Sequence, residues 1–157
     1  MKLHMLSTQH QRLCWLISEA NNFGAEQLEL RAHWARYLCV LSSGFLENAL
    51  REVYAHYARS CSSRTVADYV ESKLRLIQNP KAGRFLDTAI SFNKDWRQGL
   101  EAALEADGKG AAIDAIMSNR HLIAHGKDSD ITLARLGDYL AKGVKVIEFI
   151  ETQCALH

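Results

Sequence analysis

A chain of 157 residues with one proline, Pro80, has little means of turning often. Sandwiches and barrels need many turns, and turns recruit Pro and Gly. Nine glycines add few further turn signals. The chain therefore reads as all-α, with about five to seven helices joined by short connections.

The length suits one domain, residues 1–157, with one core. Hydrophobic residues make up 48% and charged residues 24%. These are the proportions of ordinary globular proteins, which excludes a disordered chain. The formal net charge of +1 excludes a global basic field, so any RNA contact must rest on a local patch. The opening MKLHMLSTQHQR turns polar before a signal-peptide core could form. No apolar run approaches the roughly 18 residues of a membrane span. Cys14, Cys39, Cys61 and Cys154 form neither a CxxC pair nor a zinc-ligand spacing. They read as reduced, mostly buried thiols of a cytoplasmic protein without cofactor or structural metal.

Periodicity and punctuation mark the helices. The first is expected from about Ser7 to Asn22, with Leu13, Leu16, Ile17 and Ala20 as its stripe. A long second runs from about Glu26 to Ser60, where apolar residues from Leu30 and Tyr37 to Val53 and Tyr57 recur at spacings of three and four. Gly44 inside it implies close approach of a neighbouring helix or a break, since a mid-helix Gly costs about 1 kcal/mol. Ser63 is expected to cap a third helix, with Val66, Tyr69, Val70, Leu74 and Ile77 facing inward. Asn79-Pro80 reads as the start of a fourth, Asn capping and Pro at the first helical position. A short fifth follows Asn93 with Trp96, Leu100 and Leu104 inward. After Asp107-Gly108-Lys109-Gly110, read as a flexible break, a sixth spans about Ala111 to His125 and stops at Gly126. Thr132 is expected to cap the last, which runs to about Thr152, with Ile131 and Leu136 as a hydrophobic staple.

Candidate catalytic groups are densest in Asn119-Arg120-His121-Leu122-Ile123-Ala124-His125-Gly126, at the end of the sixth helix. Cleavage of RNA by its own 2′-hydroxyl needs a base for the 2′ proton, an acid for the 5′-oxygen, and charge stabilisation at phosphorus. His suits proton transfer because its ordinary pKa of roughly 6.5 lies near operating pH. Arg suits the phosphate because its guanidinium stays charged and offers a bidentate fork. One Arg and one or two His are enough, with no metal. Arg120 and His125 lie about 140° apart around an ideal helix, whereas His121 and His125, four apart, are neighbours. A two-fold axis beside this helix would bring a second copy of the segment into the same groove, supplying two Arg and up to four His.

The motif resembles the Arg-x4–6-His signature of HEPN domains. Ser118–Gly126, the following Asp130-Ile131-Thr132, the run Leu41–Glu47, and Phe92-Asn93-Lys94-Asp95-Trp96 look most like the subgroup named RiboL-PSP-HEPN. The resemblance spans roughly residues 30 to 152 and implies a HEPN-like helical bundle, commonly dimeric. Many such domains are metal-independent ribonucleases in toxin–antitoxin, CRISPR and RNA-processing systems. It implies Arg120 and His125 as the catalytic pair and His121 in the polar position after the Arg. Asn119 stands beside them as a supporting polar group. Glu47 would be an acidic partner from the long helix. RNA is then the substrate, a second copy the partner, and an antitoxin or effector protein a further partner. In some toxins of this kind a Tyr soon after the motif His is modified by a nucleotidyltransferase. Gly126 and Lys127 stand there instead, which counts against that mode of control.

Blander readings stand beside these. Arg120 could be a salt-bridged helix-end residue and His125 a partner of the helix C-terminus. His121 and His125 could ligate a metal, but no third ligand is evident. Arg51, Glu52, Arg59, Arg64, Lys73 and Arg75 read as a solvated surface, some of which could steer an RNA backbone. The same groove could instead serve a non-catalytic module that binds RNA, a nucleotide or a protein.

Overall fold

The computed structural model describes residue 1 and residues 3–155. Among these residues there is no strand. The elements are α1 (His4–Asn21), a 3-10 turn (Ala25–Gln27), α2 (Leu28–Cys61), α3 (Arg64–Leu74), α4 (Ala82–Phe92), α5 (Trp96–Glu105), a 3-10 turn (Ala106–Gly108), α6 (Lys109–Ala124) and α7 (Leu133–Ala155). The all-α expectation holds.

The 34-residue α2 is the spine, about 50 Å long at 1.5 Å per residue. Nothing in it forbids helix, and its three-and-four apolar spacing gives it one continuous buried face. Leu38, Leu46, Leu50 and Tyr54 on that face are fully buried. They meet Ile113 and Ile116 of α6 and Leu136, Leu140 and Ile147 of α7 in one core. Burial of each such side chain contributes roughly 1.5–3 kcal/mol. α1 belongs to this core as well: Leu6, Leu13, Ile17 and Ala20 are buried, and the helix packs on α2 and α7.

Several local expectations are corrected. Leu30 and Tyr37 are exposed; Tyr37 lies between buried Ala35 and Leu38, so its turn is covered on another face. Tyr54, not singled out from the sequence, is fully buried and stacks on Phe92. On α3, Val66 and Tyr69 are exposed, and Ala67 and Leu74 face inward. This short helix packs chiefly on α2, so it buries a narrow stripe through small Ala67 and leaves larger side chains outside. Ser63 holds the N-cap position but its hydroxyl makes no capping bond.

Asn79-Pro80 does not open α4. The helix begins at Ala82, and the Ala82 N–H donates to Asp114 Oδ1 of α6 at 2.7 Å. The acceptor thus comes from a distant carboxylate, which the helix dipole favours. Asn79 instead turns the chain with φ +46° and donates its N–H to the Glu47 carboxylate. The expected break before α6 is a tight turn in which Asp107 and Gly108 both adopt positive φ, and Lys109 and Gly110 are already helical. The cysteines are free, but only Cys39 is buried; Cys14 and Cys61 are exposed and Cys154 is half-buried. Burial pushes the Cys39 thiol up to about 11.

Gly44 neither breaks α2 nor admits a neighbour, since a Cβ there would meet nothing within 4 Å. The close approach lies at Gly143 of α7, where a Cβ would stand 2.9 Å from Leu46 Cδ2. Opposite outcomes are expected in chemical denaturation. Gly44→Ala should stabilise by up to about 1 kcal/mol through helix propensity. Gly143→Ala should destabilise by up to about 2 kcal/mol, because Leu46 is fully buried and overpacking outweighs the propensity gain. Equal stability of Gly143→Ala and the parent would mean that Leu46 gives way.

Candidate active site

The end of α6 is fixed by backbone geometry. The Gly126 N–H donates to Ile123 O at 3.1 Å and the Lys127 N–H to Leu122 O at 2.9 Å. With Gly126 at φ +63° this is a Schellman closure, and it makes His125 the C-cap residue. An L-residue in the left-handed conformation costs roughly 1–2 kcal/mol. A Cβ on Gly126 would meet nothing, so Gly126→Ala should lose about that much in thermal denaturation through backbone strain alone. An unchanged stability would mean that the chain leaves the helix differently.

Around this closure the motif side chains separate. Asn119 organises the chain: its Nδ2 donates to Ala115 O at 2.9 Å and its Oδ1 accepts from Ser129 Oγ at 2.8 Å. Ser129 is buried, so the loop after the motif is tied back to α6 before Thr132 starts α7. Thr132 caps as expected, its Oγ1 accepting from the Arg135 N–H at 3.3 Å. Ile131 and Leu136 flank it, both buried.

His121 and His125 are exposed and their rings approach to 4.4 Å between centroids, tilted by 60°. Arg120 is half-buried and turns elsewhere, lining a polar cleft of about 530 Å3 with Glu47, Arg51, Arg75 and Asn79. Among the described residues Arg120 makes no ion pair or side-chain hydrogen bond, and His125 makes no ion pair, side-chain hydrogen bond or ring contact besides that with His121. The salt bridge of the blander reading of Arg120 is therefore not found among them. Glu47 lies in the Arg120 cleft, but its carboxylate is engaged by Arg51 Nη2 at 2.8 Å and by the Asn79 N–H. Among the described residues no three His, Cys, Asp or Glu side chains group to hold a metal. Trp96 belongs to the core, 2% exposed against Tyr57.

Ser129 and Arg75 carry features that the sequence reading missed. A Ser in a polar loop gives no sign of burial. Nothing in periodicity ties Arg75, just past α3, to Arg120 on α6.

An all-α bundle with an Arg-x4-His motif at the closed end of its penultimate helix is the architecture of a HEPN-type protein. A family model described as RiboL-PSP-HEPN matches residues 11–156. The chain belongs to the RiboL-PSP-HEPN family. The match takes in most of α1, in keeping with that helix's place in the core. No curated protein and no solved structure matches the chain. No helix among the described residues is long and apolar enough to cross a membrane.

Proposed function

We propose that the chain is a metal-independent endoribonuclease that cleaves RNA by attack of its own 2′-hydroxyl, at a site completed between two copies. Family membership supports a nuclease- or RNA-related module. The observation that carries the finer reading is the pairing of an uncommitted Arg120 with two exposed, mutually adjacent histidines on one rigidly closed helix end.

In this reading one imidazole takes the 2′ proton as the 2′-oxygen attacks phosphorus. A second imidazole protonates the departing 5′-oxygen. Arg120 neutralises the charge that develops on the non-bridging oxygens, where its donor fork fits. The products are a 2′,3′-cyclic phosphate and a 5′-hydroxyl, and no metal is needed. Within one copy Arg120 lines the cleft while His125 lies outside it, so a two-fold partner supplies the missing half. Asn119 keeps the loop tied to the helix, and Glu47 holds Arg51 and the Asn79 turn at the cleft wall. The cellular role would be that of a toxin or defence effector, held in check by an antitoxin or effector partner in the cytoplasm.

The product ends test the chemistry. The expected fragments resist 3′ ligation until the cyclic phosphate is opened and accept phosphate at the 5′ end. Fragments with 3′-hydroxyl and 5′-phosphate ends would overturn the mechanism. Tight RNA or protein binding without turnover, unchanged in His125→Ala, would instead mark a non-catalytic binding module.

A further inference from the structure

The polar cleft beside the motif holds three guanidinium groups, of Arg51, Arg75 and Arg120, against one carboxylate, Glu47. Such a concentration is unexpected in a chain of net charge +1. Like charges gathered in one concavity repel unless an anion joins them. The cleft's own carboxylate does not serve all three, because Glu47 is taken by Arg51 and the Asn79 N–H. Arg51 is itself held in place, its Nη2 donating to the Ile77 carbonyl as well as to Glu47 and its Nε buried, so it adds positive charge to the wall.

Arg75 is exposed, just past the end of α3. Two more carboxylates, Glu52 and Glu71, lie beside it in the adjoining depression. Both are engaged by Arg59, at 3.7 Å from Glu52 and more closely to Glu71. Arg75 and Arg120 thus have no ion pair among the described residues, and they border one cleft of about 530 Å3. That size lies within the range of ligand sites, roughly 300–1,000 Å3. The walls are polar and positive, with no aromatic side chain among the lining residues. They suit a phosphate group rather than a stacked base.

We infer that this cleft is a phosphate subsite, in which Arg75, beside the Glu47-bound Arg51, holds the RNA backbone phosphate next to the one on which Arg120 acts. The inference rests on the ribonuclease reading for the identity of the strand, and it gives that reading a direction. The RNA leaves the motif helix across α2 toward the turn between α3 and α4, and Arg75 fixes its register.

Binding of a 2′-O-methyl RNA, which cannot be cleaved by its own 2′-oxygen, tests this without turnover. Affinity is measured against salt for the parent, Arg75→Ala, Arg75→Lys and the exposed α5 control Arg97→Ala. Loss of one single-strand phosphate contact lowers the slope of log affinity against log salt by about 0.7. Arg75→Ala is expected to show that drop with weaker binding, while Arg75→Lys and Arg97→Ala keep the parental slope. An unchanged slope in Arg75→Ala, or no RNA binding by the parent, overturns the subsite. Inorganic phosphate is expected to weaken RNA binding by the parent more than chloride of equal ionic strength does, and to lose that advantage in Arg75→Ala; an equal phosphate effect in both proteins overturns the subsite too. Cleavage of unmodified RNA by the parent is scored separately. A slope change without cleavage removes the nuclease and leaves the subsite; cleavage with no slope change does the reverse.

Discussion

Replacing His125 with Ala is expected to slow RNA cleavage by about 10²–10⁴-fold, the usual contribution of a positioned proton-transfer group. Replacing Arg120 with Ala should slow it by about 10²–10³-fold, as for loss of one preorganised donor to transition-state charge. Neither substitution should harm the fold. His125 is exposed and its ring makes no hydrogen bond among the described residues. Arg120 lines a cleft and carries no ion pair among the described residues. Substitutions of this kind typically move stability by no more than about 0.5 kcal/mol. Single-turnover cleavage beside a melting curve checks both parts. A variant that loses activity and melts early would show a structural role instead. His125→Gln keeps polarity but cannot exchange a proton near neutral pH, so it should fail as well.

The second large effect comes from mixing the two defective proteins. Arg120 and His125 face different surroundings in one copy, so a catalytic set drawn across a two-fold axis takes the Arg from one copy and the His from the other. In a mixed dimer of Arg120→Ala and His125→Ala, one of the two sets is then intact. Random assembly of equal amounts makes half of the dimers mixed, so roughly a quarter of the parental activity should return. Co-expression of differently tagged copies, followed by purification of the mixed species, isolates the effect, and roughly half of the parental activity is expected there. No activity above that of either variant alone would place both groups of each set in one copy. Activity of a strictly monomeric species would remove the composite site altogether.

The sequence made the helices legible where they are long or well punctuated. α2 repeats its apolar spacing often enough to average out single misplacements, so its existence was plain although Leu30 and Tyr37 lie outside the core. Gly126 and Thr132 mark helix ends through local backbone and capping chemistry, which needs no distant partner. α3 was harder, because its 11 residues meet essentially one neighbour and the rotation that buries Ala67 depends on that neighbour. Asn79-Pro80 carried a helix-start signal that lost to Glu47 and Asp114, both far away in sequence. Long-range contacts of this kind leave no local trace. The same holds at the candidate site. The Arg-His-His cluster was visible as a cluster, whereas the cleft that joins Arg120 to Arg75 and the Ser129 tether to Asn119 exist only in the folded chain.

The central claim meets its most direct test when the purified protein is incubated with total RNA in EDTA beside a folded Arg120→Ala/His125→Ala double variant. Cleavage by the parent alone, leaving 2′,3′-cyclic phosphate ends, is the expected result. Equal cleavage by both proteins, or a parent that leaves the RNA intact until a divalent metal is added, would contradict the account.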